Sequence, residues 1–366
     1  MKKQAYVMLA DGTVYVGRSF GYQGSKIGEI VFATGMTGYL ETLSDPSYYG
    51  QIVTQTYPLI GNYGVNLADA ESGGSVVSGY IVREYCEAPS NFRNEGDIDT
   101  YLRDNKIIGI YDIDTRALTK KIREHGVMNG IITTEPIRDR EKTLKEIRAY
   151  TVKDAVVSVT SGEQKVYCPE NGKHIVLIDY GYKYNIRREL EKRGCKVTVV
   201  PAHTAAIDII RMKPDGIMLS NGPGDPSENT VPIENLKKLS GSGIPIFGIC
   251  LGHQLMALAN GFSTEKLKYG HRGANQPVKD ILTGRTYVTS QNHGYAVVSD
   301  SVAEAVGQVS HINANDNSNE GIKYKNFPCF TVQFHPEACG GPHDTAYLFD
   351  EFLKMTAKPK TKKKSK

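Results

Sequence analysis

The chain has 366 residues, 40% of them hydrophobic and 23% charged, with a formal net charge of +4. This is ordinary for a soluble globular protein and leaves room for two cores of normal size. It also excludes a membrane span, because no window approaches the roughly 18 uninterrupted apolar residues that a spanning helix needs.

The apolar run after Met1-Lys2-Lys3-Gln4 is broken by Asp11 and Gly12 before any signal-peptide core forms, so the expected location is the cytoplasm. The six cysteines (Cys86, Cys168, Cys195, Cys250, Cys329 and Cys339) contain no C-x-x-C pair and suggest no disulfide framework. The terminal stretch Lys358 to Lys366 is lysine-rich and lacks apolar residues, so it reads as a disordered solvated tail. Nothing in the body of the chain points to nucleic acid or a membrane as partner.

Short β-branched and aromatic runs at Tyr6 to Leu9, Thr13 to Val16, Glu29 to Phe32, Gln51 to Gln55 and Val76 to Val82 predict strands in the first half. Helices are expected at Asp97 to Asn105 and Arg116 to Glu124, making residues 1–160 an α+β domain. Residues 161–173 (SGEQKVYCPENGK) lose periodicity and read as a linker.

From His174 onward the pattern changes. His174 to Asp179 is a continuous apolar run, followed by helix Asn185 to Lys192, strand Lys196 to Val200, helix Ala205 to Met212, strand Gly216 to Leu219, helix Pro232 to Ser240 and strand Ile244 to Ile249. Unbroken apolar strands alternating with helices of about ten residues predict an α/β domain over 174–356, a mostly parallel sheet covered on both faces. Ligand sites in such sheets lie at the carboxyl ends of the strands.

Strand Ile244 to Ile249 runs into Gly248-Ile249-Cys250-Leu251-Gly252, and a helix is expected at His253 to Asn260. A nucleophile between glycines at a strand-to-helix turn has the layout of the nucleophile elbow, with cysteine in place of serine. The helix N-terminus favours thiolate, so Cys250 is expected to be more reactive than the free amino acid. A thiolate needs a base that is itself oriented. Strand Cys329 to Phe334 ends in His335-Pro336-Glu337, which supplies an imidazole and a carboxylate two residues on.

His335, Cys339 and His343 also stand at metal-like spacing, but a fourth ligand is missing and Gly340-Gly341-Pro342 suits rigid ligation poorly, so no metal is expected. Ser220-Asn-Gly-Pro-Gly-Asp-Pro226 offers exposed backbone N–H groups at another strand end, suited to an oxyanion or a substrate backbone.

Gly248-Ile-Cys-Leu-Gly-His-Gln254, His335-Pro-Glu337 and Ser220 to Pro226, taken together, resemble the class I glutamine amidotransferase domain. Within that class, Gln291-Asn-His-Gly-Tyr295 and the segment His335 to Asp344 resemble the carbamoyl-phosphate synthase small-subunit family. So do Phe32 to Tyr39, Asp45-Pro-Ser-Tyr48, Ser90-Asn-Phe-Arg93 and Asp112 to Arg116 in the first half.

The resemblance implies a catalytic triad of Cys250, His335 and Glu337, with glutamine contacts at Ser47, Gly222, Gly224, Leu251, Gln254, Asn292, Gly294 and Tyr295. The family more often has phenylalanine at position 295, where backbone and ring contacts are implied, so the added hydroxyl is expected to matter little. Cys339 stands where other small residues are usual and receives no role.

The resemblance further implies L-glutamine as substrate, a hetero-oligomer with a large synthetase subunit, and a glutamyl thioester that releases ammonia for carbamoyl phosphate made from bicarbonate and ATP. No Walker-type phosphate loop occurs in this chain, so no cofactor is expected here and ATP with Mg belongs to the synthetase partner. Two rivals stand against this reading. An amidotransferase serving another synthase lacks the extra N-terminal domain, and a silent docking subunit has no physical reason to keep Cys250, His335 and Glu337 together.

Overall fold

In the computed structural model, which describes residues 3–167, 172–338 and 340–357, the strands of the first half close on themselves. The order around this barrel is Gln4–Leu9, Val14–Gly21, Ile108–Tyr111, Gly79–Ile81, Gln51–Gln55, Ser25–Ala33 and Met128–Thr133. Three of its seams are parallel and four antiparallel, which is how the first half mixes crossover helices with hairpins.

Alternation along the strands splits the apolar side chains between two clusters. Ile30, Ile52, Ile81 and Ile110 pack with Leu118 and Ile122 of helix Thr115–His125. Val31, Val53 and Tyr80 pack with Leu40 and Leu43 of helix Tyr39–Ser44 and with Ile98 and Leu102 of helix Ile98–Asp104. The expected strand at Val76 to Val82 is regular only over Gly79–Ile81.

The second half is built on a ten-stranded sheet. Its five central strands, in the order Lys196–Pro201, His174–Asp179, Gly216–Leu219, Ile246–Ile249 and Cys329–Val332, are all parallel. Alternate residues of each strand feed the two faces. Ile178, Leu219 and Ile246 pack under helices Ala206–Arg211, Thr230–Ser240 and Leu251–Ala259, while Leu177, Met218 and Phe247 pack under Tyr184–Lys192 and Tyr347–Met355. This is the mixed α/β fold expected from the buried strand pattern.

Sheet order reverses between His174–Asp179 and Gly216–Leu219, which opens a crevice at their carboxyl ends. Beyond Cys329–Val332 the sheet continues antiparallel through Asn319–Tyr324 and Gly307–Asn313 into a long hairpin, Thr264–Asp280 with Thr286–Val297.

Part of the stretch expected as a linker is structured. Lys165–Tyr167 adds an antiparallel edge strand beside Lys196–Pro201, and Val156 of helix Ala155–Val159 already packs into the core of the second sheet. The expectations for Cys168, Cys339 and the tail from Lys358 fall outside the described residues. Among those described, no helix is long and apolar enough to cross a membrane.

Candidate active site

Cys250 sits between strand Ile246–Ile249 and helix Leu251–Ala259 with φ 51° and ψ −105°, a conformation that L side chains rarely adopt. The turn is enforced by close backbone packing. A Cβ on Gly252 would lie 2.6 Å from Leu219 Cβ, and one on Gly248 would lie 3.1 Å from the Gly252 backbone. Only glycine fits on either side, so the thiol alone projects over the strand ends.

The environment of that thiol adds a force opposite to the helix terminus. Burial pushes the Cys250 thiol well up from its ordinary range and nearby Asp45 and Glu337 add to this, against Lys183 and the Leu251 amide. Desolvation therefore outweighs the helix terminus. The Cys250 Sγ faces the Asn292 carbonyl oxygen at 3.8 Å.

His335 stands beyond the end of the neighbouring strand, since the Cys250 amide donates to Val332 O at 2.8 Å and His335 follows three residues later. His335 is held from two sides: its amide donates to Ser290 O at 2.9 Å, and its Nδ1 is 2.7 Å from Glu337 Oε1. Its Nε2 is buried without a hydrogen-bond partner.

Glu337 is itself anchored, with Oε1 2.8 Å from Lys183 Nζ and its main-chain oxygen accepting from Asn185 Nδ2. Burial would raise the Glu337 carboxyl, but Lys183 and His335 together overcome that and hold it down at about 2. Sequence reasoning missed Lys183. Its one available signal is position, just past the carboxyl end of His174–Asp179 beside the sheet's reversal point.

A cleft of about 370 Å³ opens over Cys250 between the two halves of the chain. Of the residues expected to contact glutamine, Ser47, Gly222, Gly224, Gln254, Asn292, Gly294 and Tyr295 all line it. Leu251 does not; it presents its amide to Cys250 at the first turn of the helix.

Ser47 comes from the barrel half and reaches across: its Oγ accepts from Asn221 Nδ2 at 2.8 Å. Its amide donates to Asp45 Oδ1 at 2.9 Å, while Asp45 Oδ2 accepts from Asn292 Nδ2 at 3.0 Å. The site is therefore closed by residues that lie more than 170 positions apart in sequence. Gln254 Nε2 spends both hydrogens, on Tyr295 O at 2.8 Å and Gln333 Oε1 at 2.9 Å, which leaves its carbonyl oxygen for a donor in the cleft. Burial, with the Asp225 carboxylate, pushes the Tyr295 phenol up from its ordinary range.

The one group of described side chains at metal-ligand spacing is His271, His293 and Glu320, away from the His335/His343 spacing noted in the sequence. Its ring nitrogens already face partners: His293 meets Tyr295 O at 2.8 Å and Gln291 Oε1 at 3.0 Å, and His271 meets Asp316 Oδ2 at 2.9 Å. The arrangement is a hydrogen-bonded polar network that braces strand Thr286–Val297.

Close to Lys183 and Glu337, Glu71 from the barrel half accepts the Asn185 amide at 3.0 Å and is 2% exposed. Burial pushes its carboxyl up to about 7, against Lys183 and that amide. Because the folded value lies above the ordinary one, the folded protein binds the extra proton between pH about 4.5 and 7 and loses stability as pH rises through that window. Glu71→Gln keeps the acceptor for Asn185 and removes the titration. The pH-dependent fall in unfolding free energy over this window, up to about 3 kcal/mol from this group, is expected to shrink in the variant. Chemical denaturation at several pH values checks this, and identical slopes for both proteins would refute it.

A buried cysteine on a nucleophile elbow, with a carboxylate-oriented histidine on the adjacent strand end, defines the site of a class I glutamine amidotransferase fold. The family model "Glutamine amidotransferase class-I" matches residues 176–355, and "Carbamoyl-phosphate synthase small chain, CPSase domain" matches residues 7–132.

Carbamoyl phosphate synthase small chains share about half of their residues with this chain. One from Bacillus cereus is 53% identical over 97% of this chain and 96% of its own. That from Listeria monocytogenes serotype 4b is 52% identical over 95% and 96%, and that from Oceanobacillus iheyensis is 51% identical over 99% and 98%. The chain belongs to the carbamoyl phosphate synthase small chain family. Among solved structures, a putative GMP synthase component from Thermoplasma acidophilum covers 51% of this chain and 96% of its own at 21% identity, with a TM-score of 0.44.

Proposed function

We propose that the chain hydrolyses L-glutamine through Cys250, His335 and Glu337 and passes the ammonia to a large synthetase subunit that makes carbamoyl phosphate from bicarbonate and ATP. The observation that carries this reading is the His335 ring, with Nδ1 committed to a charged Glu337 and Nε2 buried beside the Cys250 strand end without a partner. An imidazole held in this way accepts a proton at Nε2 and keeps the resulting cation stable.

His335 Nε2 takes the thiol proton as Sγ attacks the γ-carboxamide carbon of glutamine. The carbonyl oxygen becomes an oxyanion at the amides of Leu251 and the Gly222 to Gly224 loop. The imidazolium then returns the proton to the departing nitrogen, the C–N bond breaks, and ammonia leaves behind a γ-glutamyl thioester. Water, deprotonated by His335, attacks the thioester, and glutamate leaves with the sulfur reprotonated.

A second cavity of about 100 Å³ is lined by Lys183, Ser290 and His335 and shares Asn292 with the main cleft. We assign this cavity as the ammonia exit, separate from the glutamine entrance. ATP and Mg then belong to that partner, and the complex acts in the cytoplasm.

The covalent step is directly testable. Acid quenching during turnover, followed by peptide mass spectrometry, is expected to find one γ-glutamyl group on the peptide that contains Cys250. A turning-over enzyme with no adduct there, or with the adduct elsewhere, would mean that the nucleophile is another group.

A further inference from the structure

Strand Thr264–Asp280 carries Arg272, which lines the cleft together with Cys250 and Gly294 and is only 4% exposed. Its place follows from the hairpin register. Arg272 pairs with Asn292 across the two strands, and Asn292 O is the atom that faces Cys250 Sγ at 3.8 Å. The backbone here is tied to the barrel half, since Arg272 O accepts from Thr34 Oγ1 at 3.0 Å.

The guanidinium has room made for it but little to bind within the protein. A Cβ on Gly294 would lie 3.3 Å from Nη2 and one on Gly270 would lie 2.6 Å from Nη1, so glycine at both positions leaves the space that the group fills. Nη1 donates to Tyr269 O at 2.6 Å. Nε is buried without a hydrogen-bond partner, and among the described residues Nη2 has none either. A counter-ion is missing as well. Glu29 acts on the guanidinium through its charge, but its Oε1 is committed to Lys266 Nζ at 2.6 Å and its Oε2 to Gln51 Nε2 at 3.0 Å. No carboxylate among the described residues reaches ion-pair distance of Arg272.

An arginine cannot escape burial by giving up its proton, so a buried one without a counter-ion lacks an anion that would complete it. The substrate can supply that anion. Glutamine has a neutral γ-carboxamide, and its α-carboxylate is the one anionic group it brings into the cleft. The oxyanion that forms later is assigned to the amides of Leu251 and the Gly222 to Gly224 loop, which leaves the guanidinium for the carboxylate. Nε and Nη2 form one edge of the planar fork, and an edge of two parallel N–H donors matches the two oxygens of a carboxylate.

We propose that Arg272 binds the α-carboxylate of glutamine and so selects substrates that carry a free carboxylate at that end. This assignment rests on the proposed glutamine hydrolysis. The carboxylate takes no part in the chemistry at the γ-carbon, so its contact with Arg272 is the same in the ground and transition states. Such a contact acts on KM and leaves kcat nearly alone.

The test is ammonia release by the purified full chain, as wild type, Arg272→Gln and Arg272→Lys, from L-glutamine and from L-glutamine α-amide, in which the carboxylate is replaced by a neutral amide. Loss of charge-assisted hydrogen bonds to the carboxylate corresponds to a rise in glutamine KM of about tenfold to a hundredfold for Arg272→Gln, with kcat changed less than about threefold. The wild-type preference for glutamine over the α-amide, read as a ratio of kcat/KM, is expected to shrink in Arg272→Gln by the same factor, because the α-amide never had the contact to lose. Arg272→Lys keeps the charge without the planar fork and is expected to fall between the two. Melting temperatures without substrate should not fall for Arg272→Gln, since the charge removed has no partner in the free protein.

A preference for glutamine over the α-amide that is unchanged in both variants overturns the assignment while leaving glutamine hydrolysis in place. A lowered kcat at unchanged KM also overturns it, and would assign Arg272 to the nucleophile. A wild-type chain that hydrolyses neither compound sinks the underlying reading, and this one with it.

Discussion

Cys250→Ala in the assembled enzyme is expected to abolish carbamoyl phosphate synthesis from glutamine, by at least about a thousandfold, while synthesis from ammonium salts persists. The asymmetry follows from where each chemistry is placed. In the proposed mechanism, removing Sγ removes the atom that forms the thioester, whereas the synthetase chemistry is assigned to a partner chain that needs only ammonia.

The substitution is well suited to the test because alanine meets the same backbone strain at φ 51° that cysteine already bears, and because the thiol's one hydrogen bond, to Asn292 O, is long at 3.8 Å. The fold should therefore survive. His335→Asn is expected to behave like Cys250→Ala. Glu337→Gln should retain more activity, since it changes the orientation and charge support of the base and leaves the base in place. Product formation is measured with each nitrogen donor, wild type beside variants. Equal loss with both donors would assign Cys250 to the fold or the complex, and retained glutamine use would place the nucleophile elsewhere.

What was readable in the sequence follows from how each segment is buried. His174–Asp179 and Gly216–Leu219 have the bounds expected from their apolar runs, because a strand covered on both faces has no polar positions to blur its ends. The elbow was readable for a related reason: its glycines are dictated by backbone contacts within one local unit, strand, turn and helix.

Hairpin Thr264–Asp280 with Thr286–Val297 was not readable. It is polar on both sides, includes Gly270, Gly273 and Pro277, and shifts register between Lys266 and His271 and again between Gly273 and Gln276. No period-2 pattern survives such irregularities. Closure of the first half into a barrel was equally hidden, since each strand announces itself while its partners, such as Gln4–Leu9 with Met128–Thr133, are set by the whole chain. The support of the triad was illegible for the same reason. Lys183, Glu71 and Asp45 look like solvated charges one at a time and acquire meaning only when the two halves bring them together.

That support gives the second large expected effect. Glu337 has a fully buried side chain and Lys183 is 11% exposed, so their 2.8 Å contact is shielded from water. Removing one partner of such a pair leaves an uncompensated buried charge, which costs about 3–5 kcal/mol. Lys183→Met is therefore expected to destabilise the protein by roughly that amount. Glutamine hydrolysis should fall with it, by roughly ten- to a hundredfold, because a Glu337 that protonates no longer supports the imidazolium of His335.

The pH dependence identifies the cause. In the wild type, Glu337 has its folded value depressed to about 2, so its stabilisation is complete above the ordinary carboxylate range and is lost as pH falls toward 2. In Lys183→Met, burial is opposed by His335 alone and the folded value rises. The stability gap between the two proteins should thus be widest near neutral pH and narrow as pH falls through the carboxylate range, and the acid limb of the activity profile should move to higher pH in the variant. Adding Glu337→Gln to Lys183→Met removes the orphaned charge and is expected to recover part of the lost stability without recovering full activity. Urea denaturation and glutaminase rates across pH measure both effects. A Lys183→Met protein as stable and as active as wild type at every pH would show that Glu337 keeps its charge without this lysine.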